Sequence, residues 1–360
     1  MGYSVPRLTS RPLIVACLLL ALPAGWFGVY AVSPQDGAAP NETIEIHRSD
    51  SRQAILRTLV EKGVVKRPAM FMWLGRITRR WSRIKAGEYK VSAAMSPISI
   101  LRTLDSGISL AHPITVREGE NMYEVAADIE AKGLAPASEV LALCRDRGFI
   151  ATLGLDPDTS AKAQVLEGFL FPDTYDFNKT MTAEQMLRQM VRHANHMWTQ
   201  EDQREADTIG MSRYEVITLA SIIEKETGDP EERPLVSSVF HNRLKKKMKL
   251  QSDPTTIYGM WSRYRGNIHR SDLREANPYN TYYVPALPEG PIANPGAQSI
   301  AAALKPANTD YLFFVSHNDG THQFSRSLSE HNAAVRRYQL DPQARDGKSW
   351  RDLRKTFKRR

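Results

Sequence analysis

The chain has 360 residues, 42% apolar and 24% charged, which is enough for two or three packed domains and argues against disorder of the whole. A formal charge of +8 favours an anionic partner. Two cysteines, Cys17 and Cys144, exclude a disulfide framework and a four-cysteine zinc site, and the nine histidines show no metalloprotease-type spacing, so neither metal nor cofactor is expected.

Taken in order, residues 1–11 carry Arg7 and Arg11, and Pro12–Val32 then runs for 21 positions without a charge. That length spans a bilayer as a helix. The arginines before it and Asp36, Glu42 and Glu45 after it predict an uncleaved single-pass anchor with its N-terminus in the cytoplasm. Residues 33–42, with Pro34, Gly37 and Pro40, read as a linker.

Thr43–Ile46 alternates as a strand. Ser51–Lys62 has helical spacing stopped by Gly63, and Ala69–Leu74 is a second helix. Gly87–Val91 is a strand, and Ile98–Leu104 a helix ended by Gly107. Strand, helix, helix, strand, helix over residues 43–110 predicts a small α+β module. Residues 111–160 echo it weakly: a strand at His112–Val116, a helix at Met122–Lys132 stopped by Gly133, and a helix at Ser138–Arg147.

Leu166–Tyr175 is dense in aromatics and turn residues and reads as a buried connector in preference to a ligand loop. Ala183–Trp198 is an amphipathic helix. The last twenty residues, Asp341–Arg360, hold eight Lys/Arg against three Asp. They suit an anionic lipid surface; with no interleaved aromatics they do not suggest nucleic acid.

The chemistry concentrates at Tyr214–Thr227. Val216, Leu219, Ala220 and Ile223 form one apolar stripe, Lys225 points away from it, and Glu224 and Glu226 fall on its opposite flanks. Apolar neighbours and the negative end of the helix both disfavour ionisation there. Either carboxyl group can therefore be a general acid, and periodicity does not choose between them. The nearby acids read as helix starts, with Asp229 and Asp253 as N-caps followed by proline and Glu232 completing a capping box. A helix over Pro234–Lys247 lies between them and carries His241, Asn242 and Arg243 within reach of a ligand.

Leu219–Thr227, Val236–Leu244 and Leu250–Gly259 together resemble the MltG (YceG-like) endolytic murein transglycosylases. So do Leu166–Tyr175, Asn280–Tyr282, Leu287–Gly296, Tyr311–Val315, His322–Phe324 and His331–Asn332, in order across about Thr43–Tyr338. The resemblance implies an α+β fold with a transmembrane helix, a LysM-like α/β module and a mixed α+β catalytic domain over residues 161–340. It implies a catalytic domain in the periplasm that cuts nascent peptidoglycan strands internally, with peptidoglycan synthases or division proteins as partners.

It also implies Glu224 as the catalytic residue, protonating the MurNAc–GlcNAc oxygen and then taking the proton of the C6 hydroxyl, so that a 1,6-anhydro end forms without a second carboxylate. Gln251, Tyr258 and Asn280 are the candidate sugar contacts. The competing readings are a two-carboxylate hydrolase and a non-enzymatic wall-binding scaffold.

Overall fold

The structure, a computed structural model, describes residues 23–341. Two compact units divide the chain, one of residues up to His112 plus Asp176–Met181, the other of Pro113–Tyr175 and the remainder.

The first unit opens with helix α1, described over residues 23–32. Its end belongs to the unit's core: Tyr30 is buried, and Phe27 and Ala31 pack beside it. The expected membrane span Pro12–Val32 otherwise lies outside the described residues, among which no helix is long and apolar enough to cross a membrane. The basic tail beyond Asp341 also lies outside them.

Residues 33–41 run along the unit. The Gln35 and Asp36 N–H groups both donate to Ala93 O, and Ser92 Oγ donates to Ala39 O. Strand β1 (Glu42–Ile46) pairs antiparallel with β2 (Gly87–Val91), Ile44 opposite Tyr89. Between them lie α2 (Arg52–Glu61), capped by Ser51, and α3 (Pro68–Ile77); α4 (Pro97–Ser106) follows, capped by Ser96 and ended by Gly107 at φ 73°. The element order is the one the sequence predicts. Ile44, Leu59, Phe71, Tyr89, Ile100 and Leu104 form its core.

The second unit begins in β3 (His112–Val116), followed by α5 (Met122–Ala131), α6 (Ala137–Arg145), α7 (Arg147–Ile150) and α8 (Pro157–Lys162). Strand β4 (Asp173–Phe177) joins β3 in a two-stranded sheet. The aromatic run before it is the expected connector: Leu166, Phe169 and Leu170 are buried. Gly168 sits there at φ +85°, where a Cβ would lie 2.6 Å from Pro291, so both backbone and space demand glycine.

Next come α9 (Ala183–Met197), α10 (Gln200–Ile209), α11 (Arg213–Glu226), α12 (Arg233–Lys245) and α13 (Asp253–Gly259). Helix α14 (Ala297–Leu304), the hairpin β5 (Phe313–Ser316) and β6 (His322–Ser325), and α15 (Leu328–Val335) complete the unit.

Helix α11 is the axis of this unit. A Ser212–Glu215 capping box starts it. Instead of one apolar stripe it is buried nearly all round from Arg213 to Ile223. Its polar residues find partners inside: Thr218 Oγ1 donates to Tyr214 O, and Ser221 Oγ donates to Thr218 O and accepts from the Ile292 N–H. Only the last turn reaches the surface of the core, and that turn carries the two candidate carboxyl groups.

Candidate active site

The two carboxyl groups at the end of α11 meet different surroundings. Glu224 Oε1 accepts from Arg233 Nη2 at 3.2 Å, and Oε2 accepts from the Gly296 N–H at 2.9 Å. The carboxyl of Glu224 and the guanidinium of Arg233 form a buried pair, with side chains 6% and 7% exposed. Arg233 also donates to Gln298 Oε1 and lies 3.8 Å from Glu118. Gly296 leaves room for the Glu118 side chain, which a Cβ at that position would displace. Lys225, between the two acids, donates to Gly119 O at 3.0 Å.

Glu226 faces the other way. It lines a cleft of about 440 Å³ with Gln251, Asp253, Tyr282, Phe313 and His331 among its walls. Burial pushes its carboxyl up to about 7. The Ser252 hydroxyl, which donates to Oε1, opposes that rise; the charge of Asp253 adds to it, and His322 and Arg243 reduce it. Tyr282 donates its hydroxyl to Asp253 Oδ1 at 2.7 Å. Arg243 is itself buried, donating to the carbonyls of Leu250 and Leu312.

The expected caps are redistributed. The N-cap of α13 is Ser252, not Asp253; Asp253 is the first helical residue and serves Tyr282. Asp229 opens a turn, accepting the Glu231 N–H, and α12 starts only at Arg233. Glu232 completes no capping box. Its carboxylate accepts the His322 N–H at 2.7 Å and lies 2.6 Å from His322 Nδ1, a partner far along the chain that outcompetes the local backbone.

Of the candidate sugar contacts, Gln251 lines the Glu226 cleft, and its φ of +53° is rare for a residue with a side chain. Tyr258 and Asn280 are buried inside the unit. Tyr258 is hydrogen-bonded to Glu167, whose carboxyl is pushed up to about 8 by burial and whose two oxygens accept the Met122 N–H at the start of α5. Asn280 Nδ2 donates to the carbonyls of Asp272, Leu273 and Glu275, and Oδ1 accepts the Tyr282 N–H. Asn280 thus shapes the loop that presents Tyr282 and does not itself meet the cleft.

His241 is bound to Ala303 O at 2.8 Å and burial depresses its pKa. It borders a separate cavity of about 850 Å³ on the other side of α12, which contains neither Glu224 nor Glu226. Among the described residues no cluster of His, Cys, Asp or Glu suits a metal ion. Cys144 is buried. Arg243, expected within reach of a ligand, does line the cleft; spacing alone missed Tyr282 and His331, which lie in the quoted motifs, the only signal that pointed to them.

Residues 44–337 match the model of the YceG-like family. The chain is 35% identical over 305 residues to an endolytic murein transglycosylase of Bacillus subtilis, covering 82% of this chain and 84% of that one. It is 26% identical over 319 residues to an endolytic murein transglycosylase of Streptococcus pneumoniae, spanning 57% of that longer protein. A crystal structure of a yceG-like protein from Listeria monocytogenes superposes with a TM-score of 0.56 at 31% identity, over 82% of this chain and all of that one. The order of motifs, the two-carboxylate helix end and these matches agree: the chain belongs to the YceG-like family.

Proposed function

We propose that this protein is an endolytic peptidoglycan lytic transglycosylase that cuts the MurNAc–GlcNAc bond within nascent strands. The observation that carries the chemistry is a carboxyl group with a pKa of about 7 on the wall of a cleft. Such a group is protonated often enough near neutrality to donate and basic enough afterwards to accept. It protonates the glycosidic oxygen, the MurNAc C1–O bond breaks, and positive charge develops at C1. The same carboxylate then takes the proton of the MurNAc C6 hydroxyl as O6 closes onto C1. No water is consumed and no second carboxylate is required.

This observation favours Glu226 for that part. The family resemblance assigns it to Glu224, and both assignments place the chemistry in the last turn of α11. Glu224 already accepts from Arg233 and Gly296 and is absent from the cleft wall. Gln251, at the cleft, remains the candidate sugar contact. We also propose that the first unit acts as a LysM-like glycan module, that an anchor within the Pro12–Val32 segment, whose end packs in the first unit's core, holds the chain at the inner membrane with the catalytic unit outside it, and that peptidoglycan synthases or division proteins are its partners.

The experiment is digestion of uncrosslinked nascent glycan by wild type, Glu226→Gln and Glu224→Gln, with mass spectrometry of the ends. The expected result is anhydro ends from wild type and none from folded Glu226→Gln. Loss in folded Glu224→Gln with activity retained in Glu226→Gln returns the assignment to Glu224. Reducing ends alone indicate a hydrolase, and full function in both variants indicates a scaffold.

A further inference from the structure

The cleft beside Glu226 has two unlike walls. Asp253, Tyr282 and Gln251 make one of them polar. The other comes from β5 and α15, where Phe313, Leu328, His331 and Asn332 lie together. Leu328 is exposed although it is a large apolar residue. The His331 imidazole stacks on Phe313, with ring centroids 5.1 Å apart and planes 24° apart. The Arg243 guanidinium lies 5.2 Å from the same Phe313 ring.

One detail of His331 stands out. Its Nδ1 is closed off from solvent and has no hydrogen-bond partner. An imidazolium needs acceptors for two N–H groups, and here one of them would be buried against nothing. Burial, and then the charge of Arg243, hold its pKa below the usual histidine range. A neutral ring of this kind keeps its proton on Nε2, because a bare nitrogen is cheaper to bury than an unpaired N–H. With Nδ1 closed off, Nε2 is the ring nitrogen left to meet a ligand.

We propose that His331 is a glycan-binding residue of this cleft, donating one uncharged N–H from Nε2 to a hydroxyl or acetamido oxygen of a sugar seated against Phe313 and Leu328. The ligand chemistry follows from the wall. A hexosamine ring offers a C–H face and an acetyl methyl to the apolar surface, and oxygen acceptors beside them. A small apolar face that carries the His331 N–H and is bordered by the polar side chains of Arg243 and Asn332 suits that combination. The inference rests on the reading of the Glu226 cleft as the catalytic one, and gives His331 a part in holding substrate and none in proton transfer.

The test is steady-state kinetics on uncrosslinked glycan with His331→Ala, His331→Gln and His331→Asn. A glutamine amide can place an N–H near the position of Nε2, whereas an asparagine amide reaches only that of Nδ1. Losing one such donor is expected to raise KM about tenfold in His331→Ala with kcat little changed. His331→Gln is expected to recover most of that loss, and His331→Asn is not. An unchanged KM in His331→Ala overturns the proposal, and so do equal losses in the Gln and Asn variants, which would mark a packing role. Should His331→Ala fail to fold, the Gln and Asn comparison decides alone. Full activity in Glu226→Gln removes the catalytic reading of the cleft whatever His331 does. An inactive Glu226→Gln beside normal His331 variants removes only the present inference.

Discussion

The hydroxyl of Ser252 donates to Glu226 Oε1, although Ser252 stands at the N-cap of its own helix, α13. A serine there ordinarily accepts from the second or third N–H of the helix it starts. Ser252 makes no such bond, and its own N–H is held by Thr281 Oγ1 at 3.0 Å. The local helix gives up a cap, and the one carboxyl raised to about 7 on this cleft gains a fixed donor.

Ser252→Ala separates these two effects. The hydroxyl stabilises the ionised form of Glu226, so removing it raises a carboxyl already at about 7. A general acid must be protonated, so activity falls as pH rises through its pKa. The basic limb of kcat/KM for anhydro-end formation is therefore expected to move to higher pH by about half a unit to one unit in Ser252→Ala. The rate at the optimum is expected to drop as well, because the carboxyl loses its orienting contact. A limb that moves to lower pH, or does not move, contradicts the assignment.

Arg233 and Glu224 form the other buried contact of the helix end, and the prediction there concerns stability. Removing one member of a buried ion pair leaves the other charge without compensation, which costs about 3–5 kcal/mol. Arg233→Met is expected to lower the unfolding free energy from urea titration by an amount in that range, while Glu224→Gln/Arg233→Met loses less than the sum of the single variants. Additive losses would mean that the two residues, 3.2 Å apart, are not coupled.

The first unit was legible in the sequence because each boundary carries a local signal. Ser51 and Ser96 accept from the first turns of α2 and α4, and Gly63 and Gly107 take the left-handed conformation at their ends. Helix α10 carries the same boundary signals, a Thr199–Asp202 capping box and Gly210 at φ 71°, but only Ala206 of its ten residues is buried, so no apolar period exists to be read between them. At the site, helical spacing put both carboxyl groups half in the core, and the structure does the same. What tells them apart is reached over long sequence separations, 72 residues from Glu224 to Gly296 and 26 from Glu226 to Ser252. The reading of Glu232 as a cap failed for the same reason, since His322 lies 90 residues away. Spacing rules see one turn of helix, whereas the environment of a carboxyl group is built by tertiary contacts.

Glu226 also sets a test in which function and stability pull apart. Its carboxyl sits at about 7 in the folded protein, against about 4.3 for an unfolded glutamate. Below the unfolded value both states are protonated, and the group does not change stability. Between about 4.3 and 7 the unfolded chain releases its proton first, so the folded state loses relative stability as pH rises. Above 7 the loss is complete and on the order of 4 kcal/mol. Glu226→Gln keeps the shape of the side chain and an oxygen for Ser252, but it cannot ionise. The variant is therefore expected to melt several degrees above wild type at pH 8.5, with the two curves converging as the pH is lowered to 4. It is expected at the same time to form no anhydro ends at any pH. A wild-type protein more stable than Glu226→Gln at pH 8.5 would mean that the ionised carboxylate is well accommodated in the cleft, and the argument for its raised pKa would fail with it.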